Sequence, residues 1–321
     1  AKHGSAVTTA AVKLARAYTG KKYVAIPVEH PFFSYDDWFI GSSVISRGTV
    51  DEASQFTLKF NYNDIDSLKA LFEKYPNQIA AVMLEAATTV EPKASFLHEV
   101  QALCKANGTV IIDEMITGFR WHLQGAQTYY GIEPDLCTFG KAMANGFAVA
   151  ALAGKREIMQ IGGILEEGAE RIFLTSTTHG AEMSALGAFI KTMEILKRDQ
   201  VVEHFWSYGN KLISGINTIS KELGIQDQFY VEGYPCSPNY TAKDKDGNVS
   251  LAMRTLFAQE MLEKKVMMPY IAVSYSHQES ELDMTLSAAK HALVIYQKAL
   301  ESGLEGYLKS PVIKPVFRKY N

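Results

Sequence analysis

The sequence predicts an α/β protein with a mainly parallel central sheet and a smaller α+β domain at its C-terminal end. Two observations carry this. Short apolar runs bounded by turn residues alternate with stretches of helical periodicity, the pattern of parallel strands joined by crossover helices. From about Val201 that alternation gives way to long helices and a few strands. The expected division is therefore a large domain over residues 1–200 and a small one over residues 201–321.

The strand candidates are YVAIPV (Tyr23 to Val28), IAAVMLE (Ile79 to Glu85), TVIIDEM (Thr109 to Met115), LCTF (Leu136 to Phe139) and AVAALAG (Ala148 to Gly154). A helix is predicted from about Thr8 to Tyr18, ending at Gly20, which can take a positive φ. A second follows Asn63 as N-cap, with Ile65, Leu68, Leu71 and Phe72 at helical spacing. A third covers Leu97, Val100, Leu103 and Cys104 and stops near Asn107 and Gly108, and a polar turn is predicted at KDKDGN (Lys243 to Asn248).

Composition narrows the function. The chain has 321 residues, 47% hydrophobic and 21% charged, enough to bury a full core in two lobes. The net charge is -3 with Lys and Arg scattered, so neither a nucleic-acid stripe nor a polybasic membrane arm is expected. Small-molecule chemistry is the reading that follows. Cys104, Cys137 and Cys236 are odd in number and lack short paired spacing, which suits a reducing cytoplasm better than a disulfide framework or a zinc knuckle. The longest apolar stretch, around Phe147 to Ala153, is too short to span a bilayer, and no charged-then-apolar leader opens the chain. Ala1 stands where a Met would, just ahead of a motif, so part of the natural N-terminus is expected to be missing.

The chemistry concentrates on two residues. Asp113 stands at the C-terminal end of a strand apolar enough to be central, where open α/β sheets place ligand contacts. Lys141 follows the next apolar run, between Gly140 and small residues. It is no phosphate-binding P-loop, because Asp135 and Ala142 stand where that motif needs Gly and Ser or Thr. Singly, each has a plainer reading: a salt-bridged strand-end acid and an unremarkable Gly-Lys. Together they match what pyridoxal 5'-phosphate (PLP) demands, a lysine for its Schiff base and a carboxylate to keep the pyridine nitrogen protonated. Such a cofactor also needs backbone amides for its phosphate. Gly4, Ser5 and Ala6 lie where the helix through Val12 and Ala15 begins, though an ordinary N-cap would look the same.

The segments KHGSAVTTAAVKLARAYTG, IIDEMITGFR, PDLCTFGKAMANG and STTHGAE occur in an order that resembles class III PLP-dependent aminotransferases, most of all the glutamate-1-semialdehyde 2,1-aminomutase group. VSYSHQESELDMTLSAAKHAL (Val273 to Leu293) resembles that family's closing segment, so the likeness runs over essentially the whole chain. It implies the type I PLP-dependent transferase fold, Lys141 as the imine lysine and Asp113 as partner of the ring nitrogen. It also implies Met115 on the ring face opposite the substrate, and Gly4 and Ser5 in the phosphate loop. Thr177 matches the hydroxyl residue that reaches the neighbouring subunit's cofactor, which implies a homodimer with shared sites. The family's outer-face aromatic aligns with Phe32, with Phe33 and Tyr35 as alternatives or as plain core residues. Glu85 matches a strand-end acid near the cofactor's phenolic side, although Ala86 replaces the expected proline.

Other departures bear on the substrate. Ala6 and Val7 occupy the region of an expected acidic residue, and Ala144 and Asn145 replace a Gly-Gly. Family members also carry an N-terminal arm and early helices ahead of the phosphate loop, a region this chain is expected to lack. The eight histidines show no metal-ligand spacing, so no metal site is predicted. His179 reads as structural and Arg120 is left unassigned. Three functions follow: an aminotransferase working between an amino donor and an aldehyde or ketone acceptor, a 2,1-aminomutase acting on one carbon skeleton, or a PLP-fold protein without catalysis.

Overall fold

The computed structural model of the protein describes residues 1–165, 167–168, 170–180 and 182–320. The chain divides into two compact units, one of Ala1–Asp199 with the terminal residues from Phe317, the other of Gln200–Val316. The first runs α1 (Gly4–Thr19), β1 (Tyr23–Pro27), α2 (Asp37–Ile40), α3 (Asp51–Ser54), β2 (Thr57–Phe60), α4 (Ile65–Lys74), β3 (Ile79–Leu84), α5 (Phe96–Asn107) and β4 (Thr109–Glu114). It continues with α6 (Ala126–Tyr130), β5 (Leu136–Phe139), a 3-10 turn (Lys141–Ala144), β6 (Ala151–Gly154), α7 (Arg156–Met159) and α8 (Met183–Arg198).

Its sheet has the order β2-β1-β3-β4-β5-β6, parallel throughout except that β6 runs against β5. β3 is buried along its whole length, as a strand covered on both faces must be. α1 covers one face: Ala11, Val12, Leu14 and Ala15 pack with Val24, Ile26, Met83 and Ile111. Each such large apolar side chain contributes about 1.5–3 kcal/mol on burial. α5 buries Phe96, Leu97, Val100 and Cys104. Gly20 closes α1 at φ +67 and its amide donates to the Arg16 carbonyl. No helix among the described residues is long and apolar enough to cross a membrane.

Three expectations are corrected. α4 is capped by Asp64, whose side chain accepts from the Ser67 amide, while Asn63 precedes it at φ +64. β2 was not predicted: TLKF is short, and its lysine hides the apolar pattern of an edge strand. The AVAALAG run forms a strand only over Ala151–Gly154, because its ladder partner β5 has four residues before the chain turns at Gly140.

The second unit runs α9 (Val201–Glu222), β7 (Phe229–Glu232), β8 (Asn239–Ala242), α10 (Leu251–Glu263) and α11 (Glu279–Ser302), with β7 and β8 as an antiparallel pair. Phe229, Tyr240, Phe257 and Tyr296 make its aromatic centre, with Phe229 and Phe257 rings 4.4 Å apart. Asp244 builds the polar turn by accepting from the Asp246 and Asn248 amides through Oδ1. Gly209 in α9 packs so closely on the following segment that a Cβ there would lie 1.7 Å from the Pro235 carbonyl oxygen. Gly209→Ala is therefore expected to cost about 2 kcal/mol or more, read as a lowered urea midpoint. An unchanged midpoint would contradict this contact.

Candidate active site

Side chains alternate along β4, so Asp113 shares a face with Ile111, the face covered by α1, while Glu114 points to the other. α1 starts over the carboxyl ends of the strands, which brings Gly4 and Ser5 toward Asp113. Asp113, Gly4, Ser5, Met115 and Lys141 line one cavity of about 540 Å³, together with Glu85 and Phe32. A cleft at this edge of an open parallel sheet is where such folds bind ligands.

Lys141 stands just past β5 with its backbone at φ +42, a left-handed conformation that costs a lysine about 1–2 kcal/mol. That strain turns the chain sharply and brings the side chain to the cavity. Met115 is wedged beneath: a Cβ on Gly4 would meet its sulfur at 2.9 Å, and one on Gly140 at 2.7 Å. A side chain at either position would have to displace the Met115 thioether. Asp113 is only 3% exposed, and its Oδ1 accepts from Thr138 Oγ1 at 2.8 Å and from the Met115 amide at 3.1 Å. Burial pushes its carboxyl up to about 6, against the pull of these two bonds and of the Lys141 charge, with Glu114 adding to the rise.

Glu85 follows β3 and is also buried. Burial pushes its carboxyl up to about 8, the negative charge of Asp113 adds to the rise, and Lys141 opposes it. Glu114 is the structural acid of the pair in β4. Its carboxylate accepts from the amides of Ala126 and Gln127 at 3.0 and 2.9 Å and from the Thr117 hydroxyl, anchoring the start of α6. Burial raises it too, opposed by those three bonds.

The aromatic alternatives separate by position. Phe32 and Phe33 both line the cavity, but Phe32 is 42% exposed while Phe33 is 2% exposed and packed in the core with α1; Tyr35 lies 58% exposed outside the cavity lining. Tyr35 instead ties down the loop, its amide donating to Ser5 Oγ and its hydroxyl lying 3.2 Å from His3 Nε2. Ala6 does not line the cavity, and its amide donates to His3 Nδ1 at 3.3 Å. Thr177 is exposed and also away from the lining, and the STTHGAE stretch passes through residue 181, outside the described residues.

Sequence reasoning overlooked several residues of the rim. Lys2 and His3 flank Gly4, and the basic pair beside a proposed phosphate loop was the available signal. Ala148 and Val149 also line the cavity but were absorbed into the AVAALAG run read as strand, and Phe147 just before it was taken only as part of an apolar stretch. His30, treated below, gave no signal beyond lying near the aromatic stretch.

A fixed lysine, a buried carboxylate and a glycine-serine helix start, converging at the strand ends, define an α/β enzyme site fit for a phosphate-bearing ring with a cationic nitrogen. The fit rests on the donor set: Asp113 for the ring nitrogen, the α1 start for the phosphate. Residues 1–237 match the aminotransferase class-III family, and the chain belongs to that family. It is 33% identical over 309 residues to a 3-aminobutyryl-CoA aminotransferase of Cloacimonas acidaminovorans, covering 93% of this chain and 71% of that protein. Similarity to a glutamate-1-semialdehyde 2,1-aminomutase of Alkaliphilus oremlandii is 31% over 313 residues, 90% of this chain and 72% of the relative. Among solved structures, the PLP internal aldimine form of the FumI protein of Sphingopyxis sp. MTA144 superposes with a TM-score of 0.83 at 24% identity, over 94% of this chain and 71% of that one. The last shows the shared fold. The chain is thus an enzyme of a family whose members include aminotransferases and an aminomutase.

The two raised acids set a pH dependence. In the folded chain Glu85 and Asp113 hold protons that the unfolded chain has already released above its ordinary values of 4.5 and 3.8. The folded state thus binds more protons in that window, and stability falls as pH rises through it, toward about 6 for Asp113 and about 8 for Glu85. Glu85→Gln is expected to flatten the upper part of this fall and to stabilise the cofactor-free protein by roughly 1 kcal/mol or more above its folded value. Urea denaturation at acidic and alkaline pH checks it. Parallel midpoint curves for wild type and variant would count against a buried, raised Glu85.

Proposed function

We propose that the chain moves an amino group between an amino donor and an aldehyde or ketone acceptor, using PLP held in the cavity at the strand ends. The observation that carries this reading is the convergence of Lys141, on its strained turn, with the buried Asp113 and the Gly4–Ser5 helix start on one cavity. When bound, PLP supplies an electron sink for the charge left at the substrate Cα after a proton is removed.

The residues divide the remaining work. Lys141 would supply the amine that holds the cofactor and would move the proton at the substrate Cα. Asp113 holds the ring nitrogen protonated. Among the described residues the hydrogen bonds it receives land on Oδ1, so Oδ2 would be the oxygen offered to that nitrogen. Met115, wedged against Gly4 and Gly140, would support one ring face. Phe32 would pack on the other, which its exposure within the cavity supports. Ser5 and the α1 start take the phosphate. Glu85, with its raised carboxyl, keeps its proton at neutral pH and donates toward the phenolic oxygen, while Asp113 is largely ionised there. Two acids of one cavity thus take opposite protonation states. Thr177 serves the site of a second subunit, which its exposure supports.

A visible or near-ultraviolet band from lysine-bound PLP is expected in wild type and absent in Lys141→Ala. A folded full-length protein that develops no such band with added PLP would overturn the reading. Asp113→Asn is expected to retain PLP but lose activity by roughly a hundredfold or more; near-normal turnover would remove Asp113 from its role. Supplying a vicinal amino-aldehyde without external donor separates the two chemistries, since rearranged product is expected only of an aminomutase.

A further inference from the structure

Glu85 and Ala86 stand just beyond the ladder of β3, where their backbone groups have left the sheet and must find partners elsewhere. Two buried rings provide them. The Glu85 amide donates to His30 Nδ1 at 3.2 Å, and the Tyr62 hydroxyl donates to the Ala86 carbonyl at 2.7 Å. The rings lie against each other with centroids 4.9 Å apart, and Tyr62 is fixed in turn by its edge contact with Phe96 and by its amide, which donates to Glu29 Oε2.

Accepting through Nδ1 obliges His30 to carry its proton on Nε2. That nitrogen is buried and has no hydrogen-bond partner among the described residues. A ring needed only for packing would gain from being phenylalanine here, so the unmet donor points to the Nδ1 lone pair as the reason for a histidine. Burial holds the imidazole down to about 4, so the lone pair stays available at all moderate pH.

We infer that His30 and Tyr62 are positioning residues that hold the end of β3, and with it the Glu85 carboxyl, against Asp113 and Lys141 in the cavity. The inference rests on the cofactor-site reading above but concerns the protein's own geometry. Glu85 is met by Asp113 from β4, Lys141 from the turn after β5 and His30 from the loop after β1, while Lys2 and His3 line the same cavity from the start of α1. A strand end released by loss of the clamp lets water reach the carboxyl and lowers the pH at which it ionises.

The test compares wild type, His30→Leu, His30→Asn, Tyr62→Phe and Glu85→Gln. The infrared carbonyl band of the protonated carboxyl is followed against pH in cofactor-free protein, and Glu85→Gln assigns the band. His30→Leu is expected to lower its midpoint by about one pH unit or more, and Tyr62→Phe to move it the same way by less. His30→Asn, which keeps an acceptor near Nδ1, is expected to restore it. With PLP, His30→Leu is expected to weaken binding roughly tenfold, yet to add nothing to Glu85→Gln. A midpoint unmoved in both His30→Leu and Tyr62→Phe, or a PLP loss that adds to that of Glu85→Gln, overturns the inference. If His30→Leu does not fold, Tyr62→Phe and His30→Asn decide it by the same midpoint. Absence of PLP binding in wild type would defeat the proposed function alone, because the infrared titration decides the clamp without cofactor.

Discussion

The hydrogen bond from Thr138 to Asp113 is the point on which the site depends. A carboxylate this deeply buried costs several kcal/mol unless donors are already in place, and the parallel register of β4 and β5 sets Thr138 directly beside it. A slip of one residue would exchange the faces of Asp113 and Glu114, taking Asp113 away from Thr138 and from the cavity. The same register ends β5 at Phe139, so that Gly140 and Lys141 emerge next to Met115. Sheet pairing, and not the loops, thus fixes the acid, the lysine and the sulfur in common.

Adjacent Asp113 and Glu114 show how one strand separates scaffold from chemistry. Glu114 receives two amides and a hydroxyl and is fully occupied in holding the start of α6, where Gly125 at φ +93 leaves no room for a side chain against it. Asp113 receives two donors on a single oxygen. The difference in how completely each acid is satisfied distinguishes the one available to a ligand, and it could not be read from a DE dipeptide.

Much of the sheet was legible because β1, β3 and β5 are buried runs and β4 an apolar one, with turn residues nearby, a pattern that survives without tertiary context. Asp113 and Lys141 each had a plainer reading singly, and the expectation for them rested on the two taken together and on the family resemblance. β2 was not legible, since its alternation is short and charged. Nor was the loop of Ala148 and Val149, whose apolar character serves a cavity wall and mimics a strand. His30 escaped notice because its value lies in one lone pair directed at a backbone amide far along the chain. Sequence periodicity reports burial well; it carries no information on which atom of a buried ring is needed.

The reversed edge strand has a consequence of its own. Because β6 runs against β5, the segment from Gly140 to Ala150 leaves and re-enters the sheet at the same edge, and Lys141, Gly146, Phe147, Ala148 and Val149 all face the cavity from it. It is a hairpin-like flap pinned at both feet. No parallel crossover passes through it, so a change in its bulk would alter the mouth of the cavity without disturbing the pairing that sets Lys141 at its first foot.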